Sequence, residues 1–391
     1  MARPRSSSLT VRGPAYGERT LADLTSTVLA RLDVAGAERR LDIELTDRVI
    51  LLVLDGLGRW LLDEHAADAP WLHAHTVATL DAVFPTTTST SLTSIGTGLV
   101  PGQHGVLGSS IAWDGAPLDL LHWCRGTWPT DFTPALDDAP PERLQPRRTA
   151  FERAEAAGVA MSVVSRPEFE HSGLTRAGLR GGRFVPVAGL EPTLDAALAA
   201  ATDPRARTFV YTHHGDIDTT GHLQGPGSDA WLRELRRVDE VVSAWADRLP
   251  DGVTLLATAD HGMVAPDPTG WVELDAHPDL TEGVAVIAGE ARNRYVHALP
   301  GAADDVLATW REVLPDDILV RSRDQAVEAG WFGEVADDVR GRIGDVVATA
   351  VGRTNLVHAR QDPLGGRLAG LHGGLSAVEL EVPLIVARGG T

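Results

Sequence analysis

The sequence predicts an α/β fold in which a mostly parallel sheet is flanked by helices. Three short apolar runs, at residues 50–54, 209–212 and 253–257, are typical of strands that are buried on both faces. Between the last two runs, residues 229–249 carry apolar side chains at helical spacing. Strands that alternate with helices favour a parallel sheet, and such sheets bind ligands at the carboxyl ends of their strands.

The other elements of the first two thirds of the chain follow in order. Residues 20–32 form an amphipathic stretch within an N-terminal helical extension, residues 1–45, which is expected to pack on the sheet. Residues 113–146, rich in Trp, Pro and Asp, predict an irregular insertion near the mouth of the site. The remaining predicted elements are a strand at 49–54, helices near 57–66 and at 89–97, 148–157 and 190–201, and strands at 161–165 and 208–212.

A small α+β cap is predicted at residues 268–365, because far more residues lie between positions 261 and 372 than one crossover needs. The core then comprises residues 46–267 and 366–391. The elements predicted from the cap onwards are strands at 284–287, 294–297, 318–320 and 344–348, a helix at 303–314, and a last core strand at 382–387.

Carboxylate and imidazole side chains lie at the predicted strand ends and in nearby loops. Zinc accepts both oxygen and nitrogen ligands, and a catalytic zinc takes three protein ligands and keeps one open position. Six ligands therefore suffice for two ions. Taken alone, the Asp-His pair at residues 260 and 261 is more often a capped turn than a metal site. The six candidate ligands are Asp55, Asp218, His222, Asp260, His261 and His372.

Residues 84–91 read FPTTTSTS and predict the start of a helix, because hydroxyl side chains cap helices. Backbone N–H groups and the helix dipole favour a phosphate there. A threonine hydroxyl becomes a good nucleophile when a metal lowers its pKa. On this segment alone, a capping loop rich in Thr and Ser is the alternative.

Together, the motifs resemble those of the nucleotide pyrophosphatase/phosphodiesterases of the alkaline phosphatase superfamily. The resemblance implies an alkaline-phosphatase-like core with two zinc ions, although manganese or iron would also suit the ligands. It assigns Thr88 as the nucleophile and as a ligand of the ion held by Asp55, Asp260 and His261. The other ion would be held by Asp218, His222 and His372. The matching pieces are LVLDG at 52–56, FPTTT at 84–88, TGLVPGQHG at 97–105, DTTGH at 218–222, ADHGM at 259–263 and HGG at 372–374.

The chain departs from this family where substrates are bound. Ser89 stands where nucleotide-cleaving members carry an aromatic residue that stacks on the base, and Thr87 stands where many carry a lysine. Ser109 aligns with an asparagine that binds a phosphoryl oxygen, so Ser109 is the candidate substrate-binding residue. The resemblance thus supports the reaction class but not nucleotide specificity.

Three functions remain open at this point. The first is a hydrolase that cleaves phosphodiester or pyrophosphate bonds through a covalent threonine intermediate. The second is a phosphomonoesterase or phosphonate hydrolase on the same metal core, which would need further cationic groups. The third is a catalytically silent binding protein, and the intact ligand set argues against it. The expected partners are small phosphodiester, nucleotide or phosphonate substrates.

Composition limits the function classes further. The 391 residues have a formal net charge of −19, which argues against non-specific nucleic-acid binding. Cys124 is the only cysteine, so a sulfur-based structural zinc site and an intramolecular disulfide are excluded. No apolar run of the length of a membrane span or a secretory signal is visible, so a cytoplasmic enzyme is expected. The oligomeric state stays open.

Four further polar residues have two interpretations each. Arg292 and Arg294 would clamp a phosphate from the cap or form surface salt bridges. His213 and His214 would support the metal ligands or lie on a solvent-facing turn. His104, in the Gln-His-Gly motif, is expected to hydrogen-bond within its own loop.

Overall fold

The computed structural model describes residues 11–203, 206–267, 269–363, 365 and 367–390. Residues 1–10 of the predicted extension and the boundary positions 268, 366 and 391 lie outside the described residues. The division of the chain into an extension, a core and a cap therefore stays a prediction.

The centre of the fold is a seven-stranded sheet, here called the main sheet. Its central strand Arg48–Leu54 pairs in parallel with Val253–Thr258 on one side and Thr208–His214 on the other. Six of its residues are buried, as the apolar sequence RVILLVL requires. The predicted mostly parallel α/β sheet is thus confirmed. In spatial order the strands are Thr76–Asp81, Glu381–Arg388, Val253–Thr258, Arg48–Leu54, Thr208–His214, Ala160–Ser165 and Arg183–Pro186.

The last strand, Glu381–Arg388, runs antiparallel to both of its neighbours. The chain reaches this strand from the loop that carries His372, through the short helix Ala377–Leu380. Because that loop lies at the carboxyl edge of the parallel strands, a strand that starts there must run in the opposite direction. His372 therefore precedes a strand, whereas the other candidate ligands follow one.

Helices cover the main sheet and fill the connections between its strands. The helix Leu21–Arg31 packs into the main hydrophobic core, and its Thr25 hydroxyl donates to the carbonyl of Ile95 at 2.8 Å. This contact joins the N-terminal segment to the helix that begins at Thr88. The α-helices are Leu21–Arg31, Arg59–Glu64, Pro70–Ala74, Thr88–Thr97, Pro101–His104, Pro141–Leu144, Ala150–Ala156, Gly173–Gly178, Leu190–Ala201, Asp216–Gln224, Asp229–Ala246, Ala303–Val313, Arg323–Glu328, Asp337–Arg340 and Ala377–Leu380, and the 3₁₀ helices are Pro167–Phe169, Leu274–Ala276 and Pro278–Leu280.

A second sheet, here called the insertion sheet, lies in the segment predicted as the cap. Its strands pair antiparallel, and the helix Ala303–Val313 packs on it through buried Val306 and Trp310. The predicted strands and the helix near 303–314 are found there. Three of the strands are longer than predicted, the strand predicted at 344–348 lies at Val346–Ala350, and the helices Arg323–Glu328 and Asp337–Arg340 were not predicted. In spatial order they are Val284–Glu290, Asn293–Ala298, Val346–Ala350 and Ile318–Ser322, and a separate pair is Trp271–Glu273 with Asn355–Val357.

The prediction of an irregular segment at residues 113–146 is wrong for its first part, which belongs to a four-stranded antiparallel sheet, here called the hairpin sheet. Asp114 (φ 51°) and Gly115 (φ 80°) form a two-residue turn with both φ angles positive. Asp-Gly favours this hairpin turn, so the sequence contained a signal for it. The strands are Ser110–Trp113, Ala116–Asp119, Cys124–Thr127 and Asp131–Pro134.

Candidate active site

Most of the candidate ligands lie at one edge of the main sheet, where the parallel strands have their carboxyl ends. Asp55 directly follows the strand Arg48–Leu54, and Asp260 and His261 follow the strand Val253–Thr258. These two strands are hydrogen-bonded neighbours, so their carboxyl ends lie side by side. The Gly56 N–H donates to Asp260 Oδ1 at 3.1 Å and ties the two strand ends together.

Asp218, His222 and His372 form the first group of possible ligands, with one ligand atom from each within 4.8 Å of the others. The His222 Nδ1–H donates to the Gly370 carbonyl at 2.7 Å, and the His372 Nδ1–H donates to the Thr86 carbonyl at 3.0 Å. Carbonyls only accept, so both protons are on Nδ1. Burial, followed by the neighbouring histidines, lowers the pKa of His372 well below its ordinary value, which leaves that ring neutral.

The free nitrogens of this group then face each other. His222 Nε2 and His372 Nε2 are 3.2 Å apart, and His222 Nε2 is 3.4 Å from Asp218 Oδ2. With Nδ1 of each ring held by a carbonyl, the two Nε2 atoms and the Asp218 carboxylate converge on one point. This is the arrangement of a metal site with oriented histidines, in which Nε2 binds the cation.

Asp55, Asp260 and His261 form the second group, together with Thr88. His261 Nε2 lies 3.4 Å from Asp55 Oδ1, 3.5 Å from Asp260 Oδ2 and 3.1 Å from Thr88 Oγ1. The His261 Nδ1–H donates to the Gly262 carbonyl at 3.0 Å, so Nε2 of a neutral ring has a free lone pair. One oxygen each of Asp55, Asp260 and Thr88 thus lies within 3.5 Å of His261 Nε2. The compact groups of possible ligands that contain Asp55 are Asp55, Asp218 and His261, and Asp55, His213 and Asp260.

Three carboxylate oxygens in these groups are buried without a hydrogen-bond partner among the described residues: Asp55 Oδ1, Asp218 Oδ1 and Asp260 Oδ2. Burial raises the pKa of Asp55 well above its ordinary value, and the charges of the two other carboxylates raise it further. Burial likewise raises the pKa of Asp218. Buried, unpaired carboxylates are costly unless a cation compensates them, so the donor set fits divalent metal ions.

His213 and His214 do not lie on a solvent-facing turn. His213 Nε2 is 2.9 Å from Asp55 Oδ2, and His214 Nε2 is 3.0 Å from Glu234 Oε1. Burial lowers the pKa of His213 to about 4, so the neutral ring donates its Nε2–H to the carboxylate. His213 therefore fixes the orientation of Asp55, in the way that residues behind metal ligands do.

Thr88 is the first residue of the helix Thr88–Thr97. Its two threonine neighbours have other partners: the Thr86 hydroxyl donates to the Gly374 carbonyl at 2.8 Å, and Thr87 Oγ1 lies 3.1 Å from Ser109 Oγ. Thr88 Oγ1 instead points to the acceptor His261 Nε2, so the Thr88 hydroxyl is the donor. Of the three consecutive threonine hydroxyls, that of Thr88 alone is hydrogen-bonded to a candidate ligand among the described residues.

Glu290 is a polar residue of the site that the sequence reasoning missed. Its Oε2 accepts a hydrogen bond from the Ser109 N–H at 2.8 Å, while its buried Oε1 has no partner among the described residues. Burial raises the pKa of Glu290 to about 8, so the group is largely protonated at neutral pH. Ser109 and Glu290 line a cavity of about 300 Å³ that Thr88 and His372 also line.

The two arginines of the predicted cap form neither a phosphate clamp nor surface salt bridges. Arg292 is fully buried and makes a two-pronged ion pair with Glu379, with distances of 3.0 Å and 2.7 Å. Arg294 lines the cavity, but two of its nitrogens donate to the Leu356 carbonyl at 3.0 Å and 2.8 Å. Both guanidinium groups are thus occupied by the protein, because a buried arginine needs internal acceptors.

His104 hydrogen-bonds within and next to its own loop, as predicted. The Val106 N–H donates to His104 Nδ1 at 3.1 Å, so Nε2 carries the proton and donates to Ser94 Oγ at 2.9 Å. Ser94 belongs to the helix that starts at Thr88. Burial lowers the pKa of His104 to about 3.

This depressed pKa predicts acid lability. The unfolded state binds the extra proton below about pH 6.5, whereas the folded state resists it down to about pH 3. The stability that His104 contributes is therefore lost as the pH falls through this window. We expect wild type to lose about 2 kcal/mol more free energy of unfolding than His104→Gln between about pH 6.5 and pH 4.5, measured by urea denaturation. Equal losses in the two proteins would contradict the assignment.

The family model described as type I phosphodiesterase/nucleotide pyrophosphatase matches residues 49–375. The chain belongs to this family. The resemblance inferred from the motifs is confirmed, and the match contains both ligand groups and Thr88. Membership of the phosphodiesterase family indicates a hydrolase of the alkaline phosphatase superfamily, a class that depends on metal ions.

Solved structures share the phosphodiesterase fold. Murine ectonucleotide pyrophosphatase/phosphodiesterase 5 superposes with a TM-score of 0.66 at 18% identity, over 88% of each chain. A threonine-to-alanine variant of that protein, described as inactive, is similar to the same degree and was solved in complex with AMP. Phosphonoacetate hydrolase from Sinorhizobium meliloti 1021, in complex with phosphonoformate, gives a TM-score of 0.60 at 18% identity, over 87% of this chain and 89% of the other.

The curated relatives match only a part of this chain and a smaller part of their own length. GPI ethanolamine phosphate transferase 1 of Aspergillus oryzae is 35% identical over 130 residues, which are 31% of this chain and 12% of the relative. The chain thus matches about an eighth of that protein. Among the helices that the structure describes, none combines the length and the apolar character that crossing a membrane requires.

Proposed function

We propose that the protein is a two-zinc hydrolase that cleaves phosphodiester or pyrophosphate bonds through a covalent intermediate on Thr88. The observation that carries this proposal is that Thr88 Oγ1 lies 3.1 Å from His261 Nε2. That nitrogen is also within 3.5 Å of Asp55 Oδ1 and Asp260 Oδ2, two buried carboxylate oxygens without a hydrogen-bond partner among the described residues. Family membership supports the reaction class. The inactive threonine-to-alanine variant of the murine relative supports a threonine as the essential hydroxyl.

Each ligand group would hold one ion. Asp218, His222 and His372 offer one oxygen and two nitrogens, and the group around Thr88 offers Asp55 and Asp260 oxygens with His261 Nε2. Such mixed oxygen and nitrogen sets suit zinc, and also manganese or iron. Bound divalent ions would lower the pKa of a hydroxyl or a water and offset negative charge on phosphoryl oxygens.

The protein's own groups then position and transfer the phosphoryl group. Thr88 Oγ1 attacks phosphorus in line with the leaving oxygen, the bond to that oxygen breaks, and the proton lost by the Thr88 hydroxyl ends on the leaving oxygen. Water subsequently hydrolyses the phosphothreonine ester and restores the hydroxyl of Thr88. The first N–H groups of the ten-residue helix Thr88–Thr97 have no acceptor within the helix and favour the phosphoryl oxygens. We assign the Ser109 hydroxyl as a further donor to these oxygens.

A phosphomonoesterase or phosphonate hydrolase on the same core is the second candidate, because one structural neighbour is a phosphonoacetate hydrolase. A dianionic phosphoryl group needs more positive charge than a diester. The chain has no lysine, and Arg294, the sole arginine among the described residues that line the cavity, donates to backbone carbonyls. This charge balance favours a diester substrate.

Turnover with and without chelator tests the proposal. The zinc-loaded protein is assayed with bis-p-nitrophenyl phosphate, p-nitrophenyl phosphate and a p-nitrophenyl phosphonate ester, before and after treatment with a chelator. We expect the diester to be cleaved fastest and the activity to return when zinc is restored. Faster cleavage of the monoester would favour the second candidate, and turnover that survives complete metal removal would refute both.

Metal content provides a second prediction. Wild-type protein is expected to retain about two zinc ions per chain, measured by elemental mass spectrometry after dialysis. Asp260→Asn should lower the content to about one, because the amide oxygen is a much weaker zinc ligand than a carboxylate. Asp229→Asn is the matched control, since Asp229 is an exposed carboxylate at the start of the helix Asp229–Ala246 and belongs to no group of possible metal ligands among the described residues. Equal metal content in wild type and Asp260→Asn would contradict the ligand assignment.

A further inference from the structure

The hairpin sheet carries an exposed cluster of aromatic and apolar side chains. The rings of Trp128 and His122 are stacked, with centroids 4.4 Å apart and an interplanar angle of 13°. Trp128 also contacts Phe132 at 4.4 Å between centroids. Leu121, Trp128 and Phe132 are 45%, 37% and 39% exposed, so these neighbouring side chains present apolar surface to solvent. We call these four residues the aromatic cluster.

The aromatic cluster borders the active-site cavity. Leu121, His122 and Trp128 line the same cavity as Thr88 and His372. A substituent attached to a phosphoryl group at Thr88 would therefore extend along this apolar wall. Ser89, beside the nucleophile, has no ring on which a substituent could stack. The other aromatic rings among the described residues that line the cavity belong to His222 and His372, which are proposed metal ligands.

The segment that presents the cluster is held in place by hydrogen bonds. Asp119 Oδ1 accepts from the N–H groups of Leu121 and His122 at 2.8 Å and 2.7 Å, and its Oδ2 lies 3.2 Å from His122 Nδ1. These bonds fix the turn and the plane of the imidazole against which Trp128 stacks. A ring that is already ordered loses little conformational entropy when a ligand binds to it.

The charges around the cavity select against anionic substituents. Asp119 and Asp362 line it with side chains that are 28% and 35% exposed. The Arg294 guanidinium, 4.0 Å from Asp362, is buried and donates to the Leu356 carbonyl, so it offers little to a second anionic group. A substituent with its own carboxylate or phosphate would be repelled by the charges of Asp119 and Asp362 at this rim.

We propose that the aromatic cluster is a specificity subsite for a flat, apolar substituent without negative charge on the phosphate ester. This inference rests on the proposed function, because that function places the phosphoryl group at Thr88. Stacking on Trp128 would supply the affinity, and the carboxylates at the rim would exclude polyphosphate or carboxylate substituents. The substrate class is thereby narrowed to phosphodiesters that carry an aromatic or apolar group.

Binding of phosphonates to the zinc-loaded protein tests this subsite without requiring turnover. Isothermal titration calorimetry compares methylphosphonate, phenylphosphonate and 4-carboxyphenylphosphonate. We expect phenylphosphonate to bind about tenfold more tightly than methylphosphonate, which is the scale of one good aromatic contact. The added carboxylate should remove most of this preference.

Substitutions at two tryptophans distinguish binding at the subsite from general effects on phosphonate affinity. Trp128→Ala should reduce the preference for phenyl over methyl to near one, while Trp128→Phe should keep most of it. Trp60→Ala is the matched control, because Trp60 is 52% exposed on the helix Arg59–Glu64, donates to Glu381 and does not line the cavity. This control should leave the preference unchanged.

The outcomes distinguish the subsite from the hydrolase activity. A phenyl preference that Trp128→Ala abolishes, in a protein that cleaves no diester, would support the subsite and refute the proposed function. Diester cleavage with equal affinity for the three phosphonates would refute the subsite alone. An unchanged phenyl preference in Trp128→Ala, or no binding of any phosphonate, would also overturn the subsite.

Discussion

Replacing Thr88 with alanine is expected to lower kcat for bis-p-nitrophenyl phosphate by at least about 10³-fold, because the substitution removes the attacking oxygen. The variant should still hold about two zinc ions per chain, since Asp55, Asp260 and His261 remain. Steady-state kinetics and elemental analysis on the same preparation measure both quantities. A loss of activity with full metal content separates a missing nucleophile from a damaged metal site.

Two substitutions serve as controls for this prediction. Thr88→Ser keeps a hydroxyl at the same atom and should retain measurable turnover. Ser91→Ala removes a buried hydroxyl, one turn further along the same helix, that has no hydrogen-bond partner among the described residues, so it should leave kcat nearly unchanged. Substantial diester cleavage by Thr88→Ala would refute the covalent mechanism.

The main sheet was predictable because its central strands are buried on both faces. Burial on both faces requires a continuous apolar run, and such a run is visible in sequence without knowledge of its neighbours. Asp55 and Asp260 stand just beyond two of these runs. Because parallel strands end at the same edge of a sheet, both carboxylates could be predicted to lie at that edge. The hairpin sheet was harder to predict, because its four-residue strands are too short to show a clear alternation.

Residues whose role depends on a partner far along the chain could not be predicted in this way. Glu290 pairs with Ser109 across 181 positions, and no local pattern marks Glu290 as part of the site, whereas Ser109 was indicated by the family resemblance. Arg292 likewise forms an ion pair with Glu379, which lies 87 positions further along the chain. Arg292 stands in an arginine-rich segment, and arginines are usually exposed to solvent. In the folded protein, residues that are distant in sequence supply enough hydrogen-bond acceptors to bury the Arg292 guanidinium.

The Arg292–Glu379 ion pair contacts the two loops that carry His261 and His372, here called the histidine loops. Glu379 Oε1 accepts from the Gly374 N–H at 2.8 Å, two residues beyond His372. The Glu379 carbonyl accepts from the Gly262 N–H at 2.8 Å, next to His261. The ion pair therefore fixes the backbone from which two of the proposed zinc ligands project, so its loss should affect both stability and metal binding.

Arg292→Met is expected to lower the free energy of unfolding by about 3–5 kcal/mol, because it leaves the carboxylate of Glu379 buried without its counter-charge. Urea denaturation of the zinc-free protein measures this loss apart from any effect of metal. Arg176→Met is the matched control: its partner Glu142 and Arg176 itself are 47% and 37% exposed, so that variant should lose less than about 1 kcal/mol. In Arg292→Met with Glu379→Gln, the unpaired charge is absent, and part of the stability should return. If Arg292→Met were no less stable than Arg176→Met, the pair would not be the support of the histidine loops that its contacts indicate.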